Sequence, residues 1–219
     1  MGTSYSRIAT SLRLWVQING FDRSLYNYIR RLPIRLPLNA KILDIGCGTG
    51  ILGISIKKLF PKSNILATDI EEKFLDKIQE DIIKLNFPSS EFNVGIADIN
   101  SPENVLILDT RTNLYLKPET FDVVLFSATI GYSIDPIQSI KRLSKLVKIG
   151  GYLIDIEMSE NIIGRTLCNF YRYKHPGITN IIKILNKNGY ITEKIPFLLT
   201  EIPAGLSRTG IIARKSSII

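Results

Sequence analysis

The chain has 219 residues, is 45% hydrophobic and carries a formal net charge of +8. That length fits one ordinary domain with a core large enough to stand without metals or disulfides. Its two cysteines, Cys47 and Cys168, form no CxxC pair or Cys/His cluster, which excludes a disulfide framework and a structural zinc. No apolar run approaches the roughly 18 residues that span a bilayer, and no compact apolar signal core opens the chain. A cytoplasmic protein, soluble or peripheral to a membrane, is expected.

In chain order, Ile8, Leu12 and Trp15 fall at helical spacing, and a second amphipathic helix follows, with Asp22 as its cap and Leu25, Ile29 and Leu32 as its apolar face. These helices make an N-terminal cap over residues 1–39. From Lys41 onward β-type runs near 41–45, 64–69, 92–97, 121–127 and 151–157 alternate with helical patterns near 50–60, 72–85 and 135–147, which implies βαβ units and a mainly parallel sheet. Residues 99–120 show no helical period, and Pro102 and Pro118 punctuate a long connection or small hairpin. Gly150-Gly151 marks the start of the fifth strand. Beyond it, Ile162, Ile163, Thr166, Leu167, Phe170 and Tyr171 repeat at helical spacing, residues 178–188 form another helix, and 190–198 and 208–215 read as strands. The chain thus divides into the cap, a core over 40–158 and a segment of helices and final strands over 159–219.

The most informative stretch is Lys41-Ile42-Leu43-Asp44-Ile45-Gly46-Cys47-Gly48-Thr49-Gly50, a buried-type strand that runs into three alternating glycines and then a helix. A side chain at Gly46 or Gly48 would fill the space a nucleoside and its tail need, and Gly50 lets the following helix pack closely on the sheet. Cys47 reads as a small packing residue of this loop. The second strand ends at Asp69, 19 residues after Gly50, where a carboxylate can accept both hydroxyls of a ribose. The third ends at Asp98, placed to accept from an adenine amino group. Gly48-Thr49-Gly50-Ile51-Leu52-Gly53 also spells the dinucleotide fingerprint. Asp44 argues against that reading, since a carboxylate beside the loop suits a cationic ligand better than a pyrophosphate.

With its LDIGCGTG loop, the sequence resembles the class I S-adenosylmethionine-dependent methyltransferases over about residues 38 to 158. The resemblance is of the small-molecule and lipid type, as in methyltransferases of ubiquinone and menaquinone biosynthesis. It implies an α/β fold with a doubly wound, mainly parallel, seven-stranded Rossmann-like sheet, in which Thr209 to Lys215 is the antiparallel last strand. It further implies that Asp44 and the backbone of Gly46, Cys47, Gly48 and Gly50 hold the methionine part of S-adenosyl-L-methionine, whose product is S-adenosyl-L-homocysteine. Asp69 would bind the ribose, Ile70 and Ile99 would sandwich the adenine, Asp98 would bind its amino group, and Ser127 ends the family's fourth strand at the site.

Transfer of a methyl group from a sulfonium can rest on positioning and exclusion of water, and a base is needed only when the acceptor carries a proton on the attacking atom. The sole imidazole is His175, in Tyr171-Arg172-Tyr173-Lys174-His175-Pro176. Some small-molecule members carry a histidine where this chain has Ala128 in Ser127-Ala128-Thr129-Ile130-Gly131-Tyr132. The signatures of exocyclic-amine, cytosine-C5 and arginine methylation are absent from the fourth strand, the cysteines and the acidic loops. Residues 1–40 hold six Arg against one Asp, residues 41–160 hold 13 basic against 17 acidic groups, and residues 161–219 hold nine against two. Basic ends around an acidic centre point to an anionic partner, or simply to solvated basic faces. Arg7, Arg13, Arg23, Arg165, Arg172 and Lys174 are expected near the acceptor pocket, with Tyr132 at its wall. The acceptor is then an anionic small molecule or a lipid headgroup, the Arg-rich first helix touching a membrane. RNA as substrate and a noncatalytic cofactor-binding module are the alternatives.

Overall fold

The computed structural model describes residues 19–217. The expected helix around Ile8 to Trp15, together with Arg7 and Arg13, lies outside them. The first described helix, α1 (Phe21–Arg30), begins after Gly20 in a left-handed conformation (φ 69°) with no side-chain cap. Asp22 therefore sits inside the first turn instead of capping it, and its carboxylate accepts from the Arg23 N–H. The predicted apolar face holds, with Leu25, Ile29 and Leu32 all buried.

Among the described residues, nine strands form one sheet in the order β5-β4-β3-β2-β1-β6-β7-β9-β8. β1 (Lys41–Ile45), β2 (Asn64–Asp69), β3 (Phe92–Ile96), β6 (Phe121–Ser127) and β7 (Val147–Met158) run parallel. At one edge β4 (Asn104–Ile107) and β5 (Thr112–Tyr115) add an antiparallel hairpin. At the other, β9 (Arg208–Lys215) slots antiparallel between β7 and β8 (Tyr190–Ile195). The hairpin raises the strand count above the expected seven: the stretch with no helical period pairs Val105 with Leu114 and extends the sheet past β3. β7 also begins four residues earlier than its glycines suggested, with a register irregularity between Phe121 and Val123 absorbing the turn at Gly150 (φ 78°).

The doubly wound architecture follows from alternation along the strands. Ile42, Ile65, Ala67, Val123, Leu125 and Ile154 turn to one face, under α1, α2 (Ile51–Leu59) and α3 (Glu72–Lys84). Leu43, Leu66, Val124, Phe126 and Leu153 turn to the other, under α4 (Pro136–Leu146) and α6 (Ile178–Lys187). Both faces of the parallel strands are thus covered, which is why those strands read as nearly continuous apolar runs. Each fully buried Leu or Ile contributes about 1.5–3 kcal/mol through burial. Asp135 caps α4 by accepting from the Gln138 N–H, with Pro136 in the first turn. Among the described residues no helix is long and apolar enough to cross a membrane.

The remaining elements close the far side. α5 (Ile162–Tyr171) follows β7, and a short α7 (Ala204–Ser207) leads into β9. Tyr28 of α1 donates to the Ile195 carbonyl at 2.9 Å and stacks on Phe197 with ring centroids 3.9 Å apart. Arg31 pairs with the buried Glu201 at 2.6 Å. These contacts dock the first described helix onto segments about 170 residues downstream.

On β7, Asp155 and Glu157 are fully buried on the same side of the strand. Glu157 accepts from the Tyr173 hydroxyl and the Met158 N–H, each at 2.6 Å, whereas neither oxygen of Asp155 finds a hydrogen-bond partner among the described residues. Burial, reinforced by the neighbouring Glu157, pushes the Asp155 carboxyl well above its ordinary range. The unfolded chain then ionises Asp155 at a lower pH than the folded chain does, so this residue subtracts stability as pH rises. The thermal midpoint of Asp155→Asn relative to wild type should climb between about pH 4 and pH 8. A difference that stays flat with pH would mean that Asp155 is ionised in the fold.

Candidate cofactor and acceptor site

The parallel strands end together at one edge of the sheet, and β1 lies where the helical connections cross from one face to the other, the position at which such sheets open a ligand crevice. A cavity of about 360 Å³ occupies it. Its floor is the glycine loop, its cofactor-side wall the ends of β2 and β3, and its far wall the residues after β6, α1 and the start of β9. A larger hollow of about 480 Å³ lies between α1, α2 and α3, but it contains none of the loop glycines or strand-end acids and borders the first cavity only at Thr49 and Ile51.

The loop is held by two carboxylates. Asp69 is buried and accepts from the Gly48 N–H at 2.8 Å through Oδ2 and from the Glu71 N–H at 3.0 Å through Oδ1. Each oxygen retains a second lone pair for a hydroxyl. Asp44 accepts from the Gly53 N–H at 2.8 Å through Oδ2, while Oδ1 is buried without a hydrogen-bond partner among the described residues, in a residue that lines the cavity. Desolvation raises the Asp44 carboxyl to about 7, and Asp69 is shifted upward for the same reason. Gly46, Gly48 and Gly50 all adopt positive φ (61°, 50° and 74°). A Cβ at Gly46 would overlap Thr129, and at Gly50 it would press on Ile78. At Gly48 it would meet no protein atom within 4 Å, so the open space beside that residue is left to a ligand. Cys47 lines the cavity with a thiol whose ionisation burial opposes.

The other expected cofactor residues also converge here. Ile70 is exposed, Ile99 is buried, and both line the cavity. Asp98 lines it too, its Oδ1 accepting from the backbone N–H and side-chain amide of Asn100. Asn100 in turn accepts from the Ile134 N–H at 2.8 Å and ties the β3 loop to the turn after β6. Ser127 lines the site while donating to the Ile156 carbonyl. The next residue, Ala128, has φ 46°, a left-handed conformation costing about 1–3 kcal/mol for a residue other than glycine. That turn swings Thr129 over the loop, where its hydroxyl reaches the Gly46 carbonyl at 3.3 Å.

Several acceptor-side expectations are redirected. Tyr132 lines the cavity, edge-on to Tyr173 with centroids 5.1 Å apart. Arg165, Arg172 and Lys174 are exposed and stand outside the lining, and Arg23 borders the larger hollow instead. His175 is not brought to the cavity. Its Nδ1 accepts from the Gly177 N–H at 2.9 Å, so Nε2 carries the proton and donates to the Met158 carbonyl at 2.6 Å, leaving the ring no lone pair for an acceptor. Sequence reasoning did not find Phe21, Leu25, Phe74, Asn100, Thr129 and Arg208, which also line the site. Only Arg208 left a trace, as a cation at the head of the predicted last strand.

This geometry defines a nucleoside-binding α/β site, and comparison with known proteins identifies its class. The methyltransferase domain family matches residues 43–153, and the chain belongs to that family. Its fold and loop are those of the class I enzymes that use S-adenosylmethionine. A ubiquinone biosynthesis O-methyltransferase of Aliivibrio fischeri is 25% identical over 154 residues, which cover 70% of this chain and 56% of that protein. A malonyl-[acyl-carrier protein] O-methyltransferase of a Marinomonas species is 29% identical over 153 residues, covering 64% and 50%. The chain thus spans about half the length of these curated relatives. In fold it resembles a geranyl diphosphate C-methyltransferase of Streptomyces coelicolor solved with S-adenosyl-L-homocysteine, with a TM-score of 0.69 over 88% of this chain and 76% of that one at 9% identity.

The residues present fit such a cofactor. The unpartnered Oδ1 of Asp44 calls for a cation, and the strand-end acids call for hydroxyl and amino donors. A cation beside Asp44 favours its ionised form, so S-adenosylmethionine should displace a proton on binding near pH 6.5 and bind more weakly as pH falls below about 7. Calorimetry in two buffers of different ionisation enthalpy would reveal the proton, and Asp44→Asn should abolish it. Proton-neutral binding by wild type at that pH would remove Asp44 from this role.

Proposed function

We propose that this chain methylates a small organic acceptor, a metabolite or lipid, at nitrogen, oxygen or carbon. The observation that carries the reading is the buried Asp44 Oδ1 at the cavity wall, without a partner, beside a glycine loop cradled by Asp69. The cofactor, when bound, supplies an electrophilic methyl group on a sulfonium. Asp44 would take its ammonium group and Asp69 its ribose diol. Asp98 would accept from the adenine amino group, with Ile70 and Ile99 on either side of the ring. The naming of the two curated relatives, both O-methyltransferases, supports oxygen among these acceptor atoms.

On the acceptor side, Phe21 and Leu25 from α1 and Phe74 from α3 supply apolar walls that exclude water, so displacement at the methyl carbon proceeds without competing hydrolysis. The hydroxyls of Thr129 and Tyr132 are the neutral groups there that can orient an acceptor heteroatom. With the His175 ring committed to the backbone, rate enhancement rests on alignment.

Incubation with S-adenosylmethionine labelled at the methyl group and a panel of small carboxylic acids, phenols and amines should transfer label to at least one acceptor. Asp69→Ala should weaken cofactor binding by roughly a hundredfold, the loss of two charge-assisted hydrogen bonds. Binding of NADH or ATP in preference to S-adenosylmethionine would overturn the reading.

A further inference from the structure

The apolar stripe of α5 is turned outward. Ile162, Ile163 and Phe170, spaced to share one side of the helix, are all exposed, Ile162 at 85% and Phe170 at 75%. The side pressed on the protein is made of Gly164 and Cys168, the two buried residues of the helix. It lies so close that a Cβ at Gly164 would fall 1.9 Å from the Ser159 carbonyl oxygen. Small residues therefore make the contact and large apolar ones face out, the reverse of a helix that fills a core.

A second apolar stretch adjoins the first. α7 packs against α5, and the Asn161 side chain at the head of α5 donates to the Leu206 carbonyl at 3.0 Å. Leu199, Ile202 and Leu206 in this neighbouring stretch are exposed too, Leu199 at 89%. A soluble protein seldom gathers large apolar side chains on its surface unless a partner or a membrane covers them.

Charge decides between the two. Arg165 stands three residues from Ile162 on α5, and Arg172 and Lys174 follow the end of the helix. All three are exposed, and among the described residues none has its side chain in an ion pair or hydrogen bond. The acids nearby are committed: Glu201 is buried against Arg31, Glu157 is buried under the Tyr173 hydroxyl, and Glu160 accepts from the Ile178 N–H. Large apolar side chains beside free cations match the boundary between acyl chains and anionic headgroups, where Ile and Phe insert while the longer basic chains reach back to phosphate. A second copy of this chain would instead bring the same cations face to face.

We propose that α5 and residues 199–206 form an interfacial face that seats this protein on an anionic lipid bilayer. The face borders the cavity: Arg208, two residues past Leu206, lines it, and so does Ala128, which packs against the cluster of Met158, Cys168 and Tyr173. Seated this way, the protein meets its acceptor at the bilayer, which narrows the proposed substrate to a lipid. That narrowing rests on the methyl-transfer reading, whereas the seating does not.

The test sediments the whole chain with vesicles of phosphatidylcholine alone and of phosphatidylcholine mixed with phosphatidylglycerol, at low and high salt. Wild type should bind the anionic vesicles roughly tenfold more tightly than the neutral ones, and salt should weaken that preference. Arg165→Gln with Arg172→Gln should remove most of the preference, and Ile162→Ser with Phe170→Ser should lower affinity for anionic vesicles by roughly tenfold. The four side chains are exposed, so both double variants should melt as wild type does. Ile83→Ser, at an exposed apolar residue of α3, should bind vesicles as wild type does. The proposal is overturned if wild type binds neither vesicle, if neither double variant weakens binding, or if Ile83→Ser weakens it as much as they do. A wild-type dimer in light scattering that Ile162→Ser with Phe170→Ser separates, without vesicle binding, assigns the face to a second copy and overturns it as well. Sedimentation needs no cofactor, so failure of S-adenosyl-L-homocysteine to bind wild type overturns the methyl-transfer reading separately and leaves the seating scored.

Discussion

A single buried hydrogen bond, from the Gly53 N–H to Asp44 Oδ2, sets the geometry on which the site depends. It joins the end of β1 to the first turn of α2 and so fixes both ends of the loop between them. Gly53 is part of the arrangement, because a Cβ there would stand 3.0 Å from that oxygen. A hydrogen bond to a carboxylate stabilises a fold by about 1.5–3 kcal/mol, but burying the charge costs more than one such bond returns. The imbalance appears as a carboxyl raised to about 7. The same imbalance is what a cationic ligand relieves, so an unfavourable term of the fold becomes a favourable term of binding.

Around that bond the site divides by origin. The groups proposed to hold the cofactor come from one run of chain, from Asp44 through Ile99, in successive βα units. The far wall of the cavity comes from α1, the turn after β6 and the head of β9, with α1 held to β8 by the Tyr28–Ile195 hydrogen bond and to the segment before β9 by the Arg31–Glu201 pair. Gly210 shows how closely these distant parts fit: a Cβ there would fall 1.6 Å from the Tyr28 hydroxyl.

That division explains what could be read in advance. The loop, Asp69 and Asp98 were legible because each is a local pattern, a carboxylate or glycine at the end of an apolar run, whose meaning depends only on neighbours in sequence. The sheet was legible from alternation, except that the four-residue strands β4 and β5 are too short to show a period and left the stretch open between a long connection and a small hairpin. Asp22 looked like a cap because its residue type suits one, but the chain turns two residues earlier than such a cap requires, at Gly20. His175, Arg165 and Arg172 were expected at the acceptor from their residue types and their place after the fifth strand, and neither tells which way a loop faces. Arg208 and Phe21 reach the site only through tertiary docking, and the strained turn at Ala128 has no sequence signature.

The placement of β9 has a kinetic meaning. Of the described strands it is last in the chain, yet it lies inside the sheet, and β8 pairs with the rest of the sheet only through it. β8 must therefore wait, unpaired on its inner edge, until the strand that follows it inserts, and α1 waits for Gly210 and Ile195 before Tyr28 can dock. Contacts this far apart in sequence form late, because loop closure precedes any reward from pairing. The cofactor half can condense from neighbouring units first, while the acceptor wall closes in the final step. Partial unfolding should run in the reverse order, opening the acceptor side while the nucleoside loop is still formed.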